Sequence, residues 1–109
     1  MVLGQKVIQS GTITSPGGFL AGATCAGIKN QDKLDLCLLY SEVPCVATGL
    51  FTTNKIKSAP VILSQKHLRN SKAQAIVVNS GCANACTGEQ GMGDAEEVAS
   101  LIAQKLGIL

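Results

Sequence analysis

The residues best suited to chemistry in this sequence are five cysteines and a single histidine. Cys82 and Cys86 stand four residues apart in "CANAC", and the other cysteines are scattered at Cys25, Cys37 and Cys45. A structural zinc site takes about four ligands, and none of these cysteines forms a C-x-x-C pair, so we expect no metal site. The odd number of cysteines indicates reduced thiols. We expect Cys37, in the apolar run "LDLCLLY", to be buried as a small hydrophobe.

Nucleophilic catalysis by cysteine is the second chemistry to consider, and it needs a base. His67 is the only imidazole, and it lies in the polar stretch "SQKHLRN", which is typical of a solvent-exposed helix end. A catalytic pair that joins His67 to Cys82 or Cys86 is therefore the less favoured interpretation.

A glycine-rich loop, residues 79–93 with the sequence "NSGCANACTGEQGMG", follows an apolar run and precedes a helical pattern. Backbone N–H groups gather around anions in loops of this kind, so a phosphate or carboxylate site is one interpretation. The loop matches neither G-x-x-x-x-G-K-[ST] nor G-x-G-x-x-G, and it contains no lysine. Composition favours a long turn in which Asn79, Asn84 and Thr87 hydrogen-bond to their own backbone.

The bulk composition limits the class of protein. A chain of 109 residues suffices for one domain, and 46% apolar residues without tryptophan predict a core of Val, Ile, Leu and Ala. The net charge of +2 is spread along the chain without a basic stripe, which excludes nucleic acid as the main partner. The N-terminus lacks a signal-peptide core, and no apolar run approaches the roughly 18 residues of a membrane span. We therefore expect a cytoplasmic protein with no membrane partner.

Local patterns predict the elements that must position these residues. A Gly/Ser/Thr/Pro-rich arm opens the chain, with a turn at 15–18. A helix follows the loop, with Asp94 as N-cap, Glu97 in a capping box and Gly107 as the residue after its end. The order of the predicted elements, several strands followed by a helix, indicates a mixed α/β or α+β fold. The predicted strands, the last one buried on both faces, are 34–42, 45–53, 60–64 and 75–79. A short helix at the end of "APVILSQKHL", after the third strand, is also compatible with the sequence.

Three stretches together resemble one family, the bifunctional ornithine acetyltransferase and glutamate N-acetyltransferase of arginine biosynthesis. They are "ITSPGGFLAGATCAGIK" (13–29), "DLCLLYSEVPCVATGLFTTNKIKSAPV" (35–61) and "AIVVNSGCANACTGEQGMGDAEEVA" (75–99). They run in the family's order and cover nearly the whole chain. The signatures GxFTTN…APV and VNSGxANACTGxxG are too long for chance agreement.

This resemblance implies a fold, an activity and a set of partners. The fold is a layered α/β (α+β) sandwich, with central β-sheets flanked by helices, of the self-cleaving ornithine acetyltransferase type. Family members move an acetyl group from N-acetylornithine to glutamate, and some accept acetyl-CoA as a substrate, with no cofactor implied. The precursor cuts itself before a threonine, and the freed threonine of the β chain forms the acetyl-enzyme intermediate. Family members usually assemble as oligomers of αβ units.

By the same resemblance, residues 1–109 form a single partial domain, the N-terminal part of the α chain, which we expect to be inactive alone. The family's oxyanion hole is a Thr-Gly pair in a motif of the type STGVIG. Neither Thr48-Gly49 nor Thr87-Gly88 lies in such a motif, so no catalytic residue is assigned.

The glycine-rich loop would then lie beside the active cleft, with Asn79, Asn84 and Thr87 as candidate substrate-binding residues. Position 82 is Cys where the family more often has Asn, so no role is assigned to Cys82. The alternative function is a stand-alone anion-binding, metabolite-binding or structural domain without catalysis.

Overall fold

The computed structural model describes residues 4–30 and 32–108, which form three strands and two helices. In chain order these elements are β1 Phe19–Thr24, β2 Leu36–Val46, α1 Ala59–His67, β3 Lys72–Asn79 and α2 Gly88–Leu106. A 3-10 turn at Leu68–Asn70 follows α1. The strands form an antiparallel sheet in the order β1-β2-β3. The architecture is the α+β class that the sequence predicts.

Strand β2 lies in the centre of the sheet and has one irregular interval. Leu36 lies opposite Asn79 of β3, and this register continues without interruption to Tyr40. Beyond Tyr40 the register with β3 shifts, and pairing resumes at Cys45. Pro44 lies in the interval and has no N–H to donate to a neighbouring strand, which accounts for the bulge.

The predicted strands 34–42 and 45–53 are therefore wrong as two elements. They form one bent strand, because the bulge accommodates Pro44, and this strand ends at Val46. The turn predicted at 15–18 is present just before β1, as a bend at Pro16 and a turn at Gly17 and Gly18, with Gly18 at a φ of +85°.

The strand predicted at 60–64 is wrong, because these residues belong to α1. Pro60 occupies the first turn of that helix, where its missing N–H is not needed. No local pattern in "FLAGAT" predicts β1, since its small residues have little strand propensity, and pairing with β2 forms the strand.

Helix α2 begins earlier than its sequence pattern predicts. Thr87, not Asp94, is the residue that precedes its first turn, and Asp94 lies inside the helix, where it accepts a hydrogen bond from Gln90 Nε2 at 2.8 Å. Because the glycines in its first turns lower the helix propensity, the sequence pattern does not indicate this start. The predicted end is confirmed, since Gly107 follows the helix in the left-handed conformation, with φ of 67°.

Few apolar side chains are buried in the described part of the chain. Ala59 and Leu63, both on α1, are the buried apolar residues there. Ile76 and Val78 of β3 are 56% and 51% exposed, and Cys37 opposite Val78 is exposed as well. The predicted burial of β3 on both faces and of Cys37 is therefore wrong, because no element among residues 4–30 and 32–108 covers that face of the sheet.

The chain is more extended than a compact domain of its length. Its radius of gyration is 16.0 Å, against about 13 Å for a compact domain of this size. The helices α1 and α2 pack against each other, and a salt bridge of 3.1 Å joins Lys66 Nζ to Glu96 Oε1 on their exposed side. Within residues 4–30 and 32–108, neither helix has the length and apolar character needed to cross a membrane.

Candidate functional site

A cleft of about 420 Å³ lies at the carboxyl end of β3, where the strand leads into residues 80–87. We call residues 80–87 the cleft loop. The cleft is lined by Ser58 and Pro60 at the start of α1, by residues 77–79 of β3 and by residues 82–85 of the cleft loop. A mainly apolar lining with a few side chains that hydrogen-bond is typical of sites for small molecules.

Asn79 is the first of the predicted site residues that line the cleft. It is the last residue of β3 and is exposed at the edge of the cleft. Its Nδ2 donates a hydrogen bond to the carbonyl oxygen of Cys82 over 3.4 Å, which is long for an N–H···O bond. Such a bond costs little to break, so the carboxamide is available to a ligand in the cleft.

Asn84 and Thr87 hold the cleft loop to the two helices. Asn84 Nδ2 donates to the carbonyl oxygen of Gly91 in α2 at 2.6 Å, and Asn84 Oδ1 accepts a hydrogen bond from Thr87 Oγ1. The backbone oxygen of Asn84 accepts the N–H of Ala59, the first residue of α1, at 3.2 Å. These bonds fit the interpretation of a turn held by its own polar side chains. A role of either residue in substrate binding stays a prediction.

Gly91 is required beside this pair of side chains. A Cβ placed on Gly91 would overlap Thr87 Oγ1 and Asn84 Oδ1. The close approach explains why a residue of low helix propensity occupies the first turns of α2.

Asp35 is the buried charged residue that sequence reasoning missed. Its side chain is 3% exposed, and the carboxylate accepts backbone N–H groups from Ala26 at 2.6 Å, Ile28 at 2.7 Å and Lys29 at 2.9 Å. These hydrogen bonds, that from Ala26 foremost, hold the pKa of Asp35 below its ordinary value, while its burial acts in the opposite direction. A single acidic residue just before the apolar run "LCLLY" is the sequence signal that could have found it.

The cysteines and the histidine are not gathered into one site. Cys82 lines the cleft, whereas His67 lines a separate depression between α1 and α2, together with Lys66 and Glu96. All five cysteines are free thiols. Among residues 4–30 and 32–108, no three His, Cys, Asp or Glu side chains come together in a way that could hold a metal ion. The geometry therefore offers polar recognition in the cleft and no pairing of Cys82 with His67.

Solved structures define the class of protein to which this scaffold belongs. The chain superimposes on the arginine biosynthesis bifunctional protein of Bacillus halodurans with a TM-score of 0.89 and 36% identity, covering 94% of this chain and 53% of that one. It superimposes on the ornithine acetyltransferase of Mycobacterium tuberculosis, solved in complex with ornithine, with a TM-score of 0.84 and 40% identity, covering 92% of this chain and 52% of that one. The fold is the one that these two proteins share over about half the length of each solved chain.

Residues 20–109 match the family model of the ArgJ family, and the chain belongs to this family. A curated relative from Dehalococcoides mccartyi is 53% identical over 94% of this chain, and one from Symbiobacterium thermophilum is 52% identical over 91%. Both relatives are arginine biosynthesis bifunctional proteins. The chain spans about a quarter of their length, 26% and 25% respectively. The family resemblance seen in the sequence is thus confirmed.

Proposed function

We propose that this chain is the N-terminal part of the α chain of an enzyme that moves an acetyl group from N-acetylornithine to glutamate. The observation that carries the proposal is the superposition on an ornithine acetyltransferase bound to ornithine, at 40% identity over 92% of this chain. Two structures this similar at this identity share their local geometry as well as their fold.

The contribution of this chain to the reaction is a scaffold and one wall of the substrate cleft. The acetyl group would be carried by a threonine on a companion β chain from the same precursor, through an acetyl-enzyme intermediate that splits the transfer into two steps. Asn79 would contact substrate from the cleft edge, while Asn84 and Thr87 keep the cleft loop in place. The exposed apolar face around Ile76 and Val78 would be covered by the rest of the polypeptide.

Several features of the complete enzyme belong to the same proposal. The enzyme would work without a resident cofactor, and acetyl-CoA would enter, where it is used, as a substrate. It would act in the cytoplasm as an oligomer of αβ units. The alternative of a stand-alone binding or structural domain gains no support from the relatives or the solved structures.

The experiment that tests the proposal uses the full-length protein as it is produced in the cell. A denaturing intact-mass spectrum with N-terminal sequencing of every chain comes first, followed by an assay of labelled acetyl transfer from N-acetylornithine to glutamate. We expect a co-purifying chain that begins with threonine, and acetyl transfer that is lost when this threonine is replaced by alanine. We expect the isolated chain of 109 residues to be inactive.

Two outcomes would contradict the proposal. A full-length protein that shows no acetyl transfer between these substrates would overturn the assigned reaction. Acetyl transfer by the isolated chain, or by the alanine variant at the full rate, would show that the chemistry does not depend on the companion threonine.

A further inference from the structure

Asp35 is buried, and backbone N–H groups hold its carboxylate. Its carboxylate accepts three backbone N–H groups from residues 26–29, which we call the clamp loop. Among the described residues, no lysine, arginine or histidine forms a salt bridge with it. A buried carboxylate without a cation is stable only while such donors stay in place, so the charge orders the clamp loop.

The backbone of Asp35 also contacts the cleft loop directly. The Asp35 carbonyl oxygen accepts the N–H of Ser80, the first residue of the cleft loop, at 2.8 Å. The next residue, Leu36, pairs with Asn79 across β2 and β3. The position of Asn79 at the cleft edge is therefore set by the residues at and beside Asp35.

A third contact joins the clamp loop to the cleft loop through side chains. Gly81 has a φ of +113°, and a Cβ placed there would come within 3.4 Å of Ile28 Cγ2 and closer still to Lys29 Cγ. Ile28 and Lys29 are two of the residues whose N–H groups the Asp35 carboxylate accepts. Asp35 therefore holds the cleft loop in two ways. Its backbone oxygen binds the N–H of Ser80, and its carboxylate keeps the clamp loop packed against Gly81.

We propose that Asp35 is a positioning residue for acetyl transfer, which sets the affinity for substrate by fixing the cleft loop and Asn79. The inference rests on the function proposed above. Asp35 lies outside the cleft lining and acts through residues 79–81. Displacement of a recognition group weakens substrate binding while the reacting groups of the β chain stay in place, so we expect an effect on KM rather than on kcat.

The test compares two pairs of variants in the full-length protein. Asp35→Asn removes the charge and one acceptor, and Gly81→Ala crowds the clamp loop without touching Asp35. Gly18→Ala is the matched control for Gly81→Ala, since Gly18 also has a positive φ, +85°, but its nearest atom to a new Cβ is Glu42 Oε2 at 3.8 Å. Leu63→Ala is the control for simple loss of stability, since Leu63 is buried in α1.

We expect the KM for N-acetylornithine to rise roughly tenfold in Asp35→Asn and Gly81→Ala, with kcat within about twofold of wild type. The controls should keep the wild-type KM even where their Tm falls. Hydrogen exchange should show faster exchange at the Ser80 amide in Asp35→Asn, with the β2–β3 amides before Asn79 unchanged.

Two outcomes of these measurements would overturn the inference. A lower Tm with an unchanged KM in Asp35→Asn and Gly81→Ala would make Asp35 a structural residue only. A KM raised equally in Leu63→Ala would assign the effect to stability. If Asp35→Asn fails to fold, the comparison of KM between Gly81→Ala and Gly18→Ala decides whether the inference holds. A wild-type protein without acetyl transfer overturns the proposed function and this inference with it, whereas an active wild type with unmoved KM values overturns only the inference.

Discussion

The cleft loop is held at its two ends by different chemistry. At its beginning, the buried carboxylate of Asp35 orders the clamp loop, and the Asp35 backbone accepts the N–H of Ser80. At its end, the half-buried carboxamide of Asn84 donates to one group and accepts from another, and Gly91 gives it room. The carboxylate accepts from three donors at once, whereas the carboxamide bridges one donor and one acceptor. The first end should therefore be more sensitive to substitution, and the only one sensitive to pH.

The largest expected effect is that of Asp35→Ala in the full-length protein. The three backbone N–H groups of the clamp loop would lose their acceptor while still partly shielded from water, and unpaired buried donors are costly. We expect an apparent Tm lower by roughly 5 °C or more, with faster hydrogen exchange at Ala26, Ile28 and Lys29. Asn84→Ala, measured beside it by thermal scanning, should lower Tm by less, and the reverse order would refute the contrast between the two ends.

Gly91→Ala should have the second-largest effect and act only on the Asn84 end. The added methyl group overlaps Thr87 Oγ1 and Asn84 Oδ1, so we expect a loss of about 1–3 kcal/mol in the free energy of unfolding. Gly93→Ala is the matched control in the same helix, because a Cβ at Gly93 meets no atom within 4 Å. It should stabilise the protein by about 0.5–1 kcal/mol. Urea unfolding of both variants measures the two changes in the free energy of unfolding. Equal losses of stability would contradict the crowding seen at Gly91.

Acidification should weaken the Asp35 end and leave the Asn84 end unchanged. Because the folded state lowers the pKa of Asp35, its contribution to stability is complete above the ordinary aspartate pKa of about 3.9 and is lost as the pH falls through the lower folded value. A protonated carboxyl group still accepts one hydrogen bond, so the effect is smaller than that of Asp35→Ala. The urea midpoint of wild type should approach that of Asp35→Asn as the pH falls below the ordinary aspartate pKa. The gap between wild type and Asn84→Ala should stay constant, and a gap that closes would contradict this assignment.

Lys66→Ala should have the smallest effect, because its bond with Glu96 lies away from both ends of the cleft loop. The two side chains are 57% and 47% exposed, and ion pairs at such positions contribute about 0–1 kcal/mol. We expect a change below about 0.5 kcal/mol in the free energy of unfolding and no change in KM. A change in KM would show that the packing of α1 against α2 controls the cleft as strongly as Asp35 does.

Local sequence patterns predicted the elements that local chemistry controls. The end of α2 at Gly107 is visible because a left-handed residue after a helix favours glycine. Strand β3 is visible because "AIVV" combines β-branched and apolar residues. The residue types of "PVIL" predict a strand where helix α1 lies, and only the first-turn position of Pro60 distinguishes the two.

The candidate site was predictable as a segment but not as a set of contacts. Asn79, Asn84 and Thr87 stand out as polar residues in a glycine-rich loop, and the structure places Asn79 and Asn84 in the cleft lining. The predicted start of α2 was wrong because Gly91 has low helix propensity, which its contact with Asn84 outweighs. The role of Asp35 depends on donors six to nine residues before it, which no spacing rule predicts.

The family, the α+β class and the loop that carries the candidate site follow from the amino-acid sequence, because long signatures and local propensities are properties of neighbouring residues. Tertiary structure alone decided that "FLAGAT" is a strand, that β2 continues through Pro44 and that Asp35 holds both loops. The strand pairings and the bond between Asp35 and Ser80 join segments that are distant in the chain. The energy of such pairing comes from hydrogen bonds and packing that form only when the chain is folded.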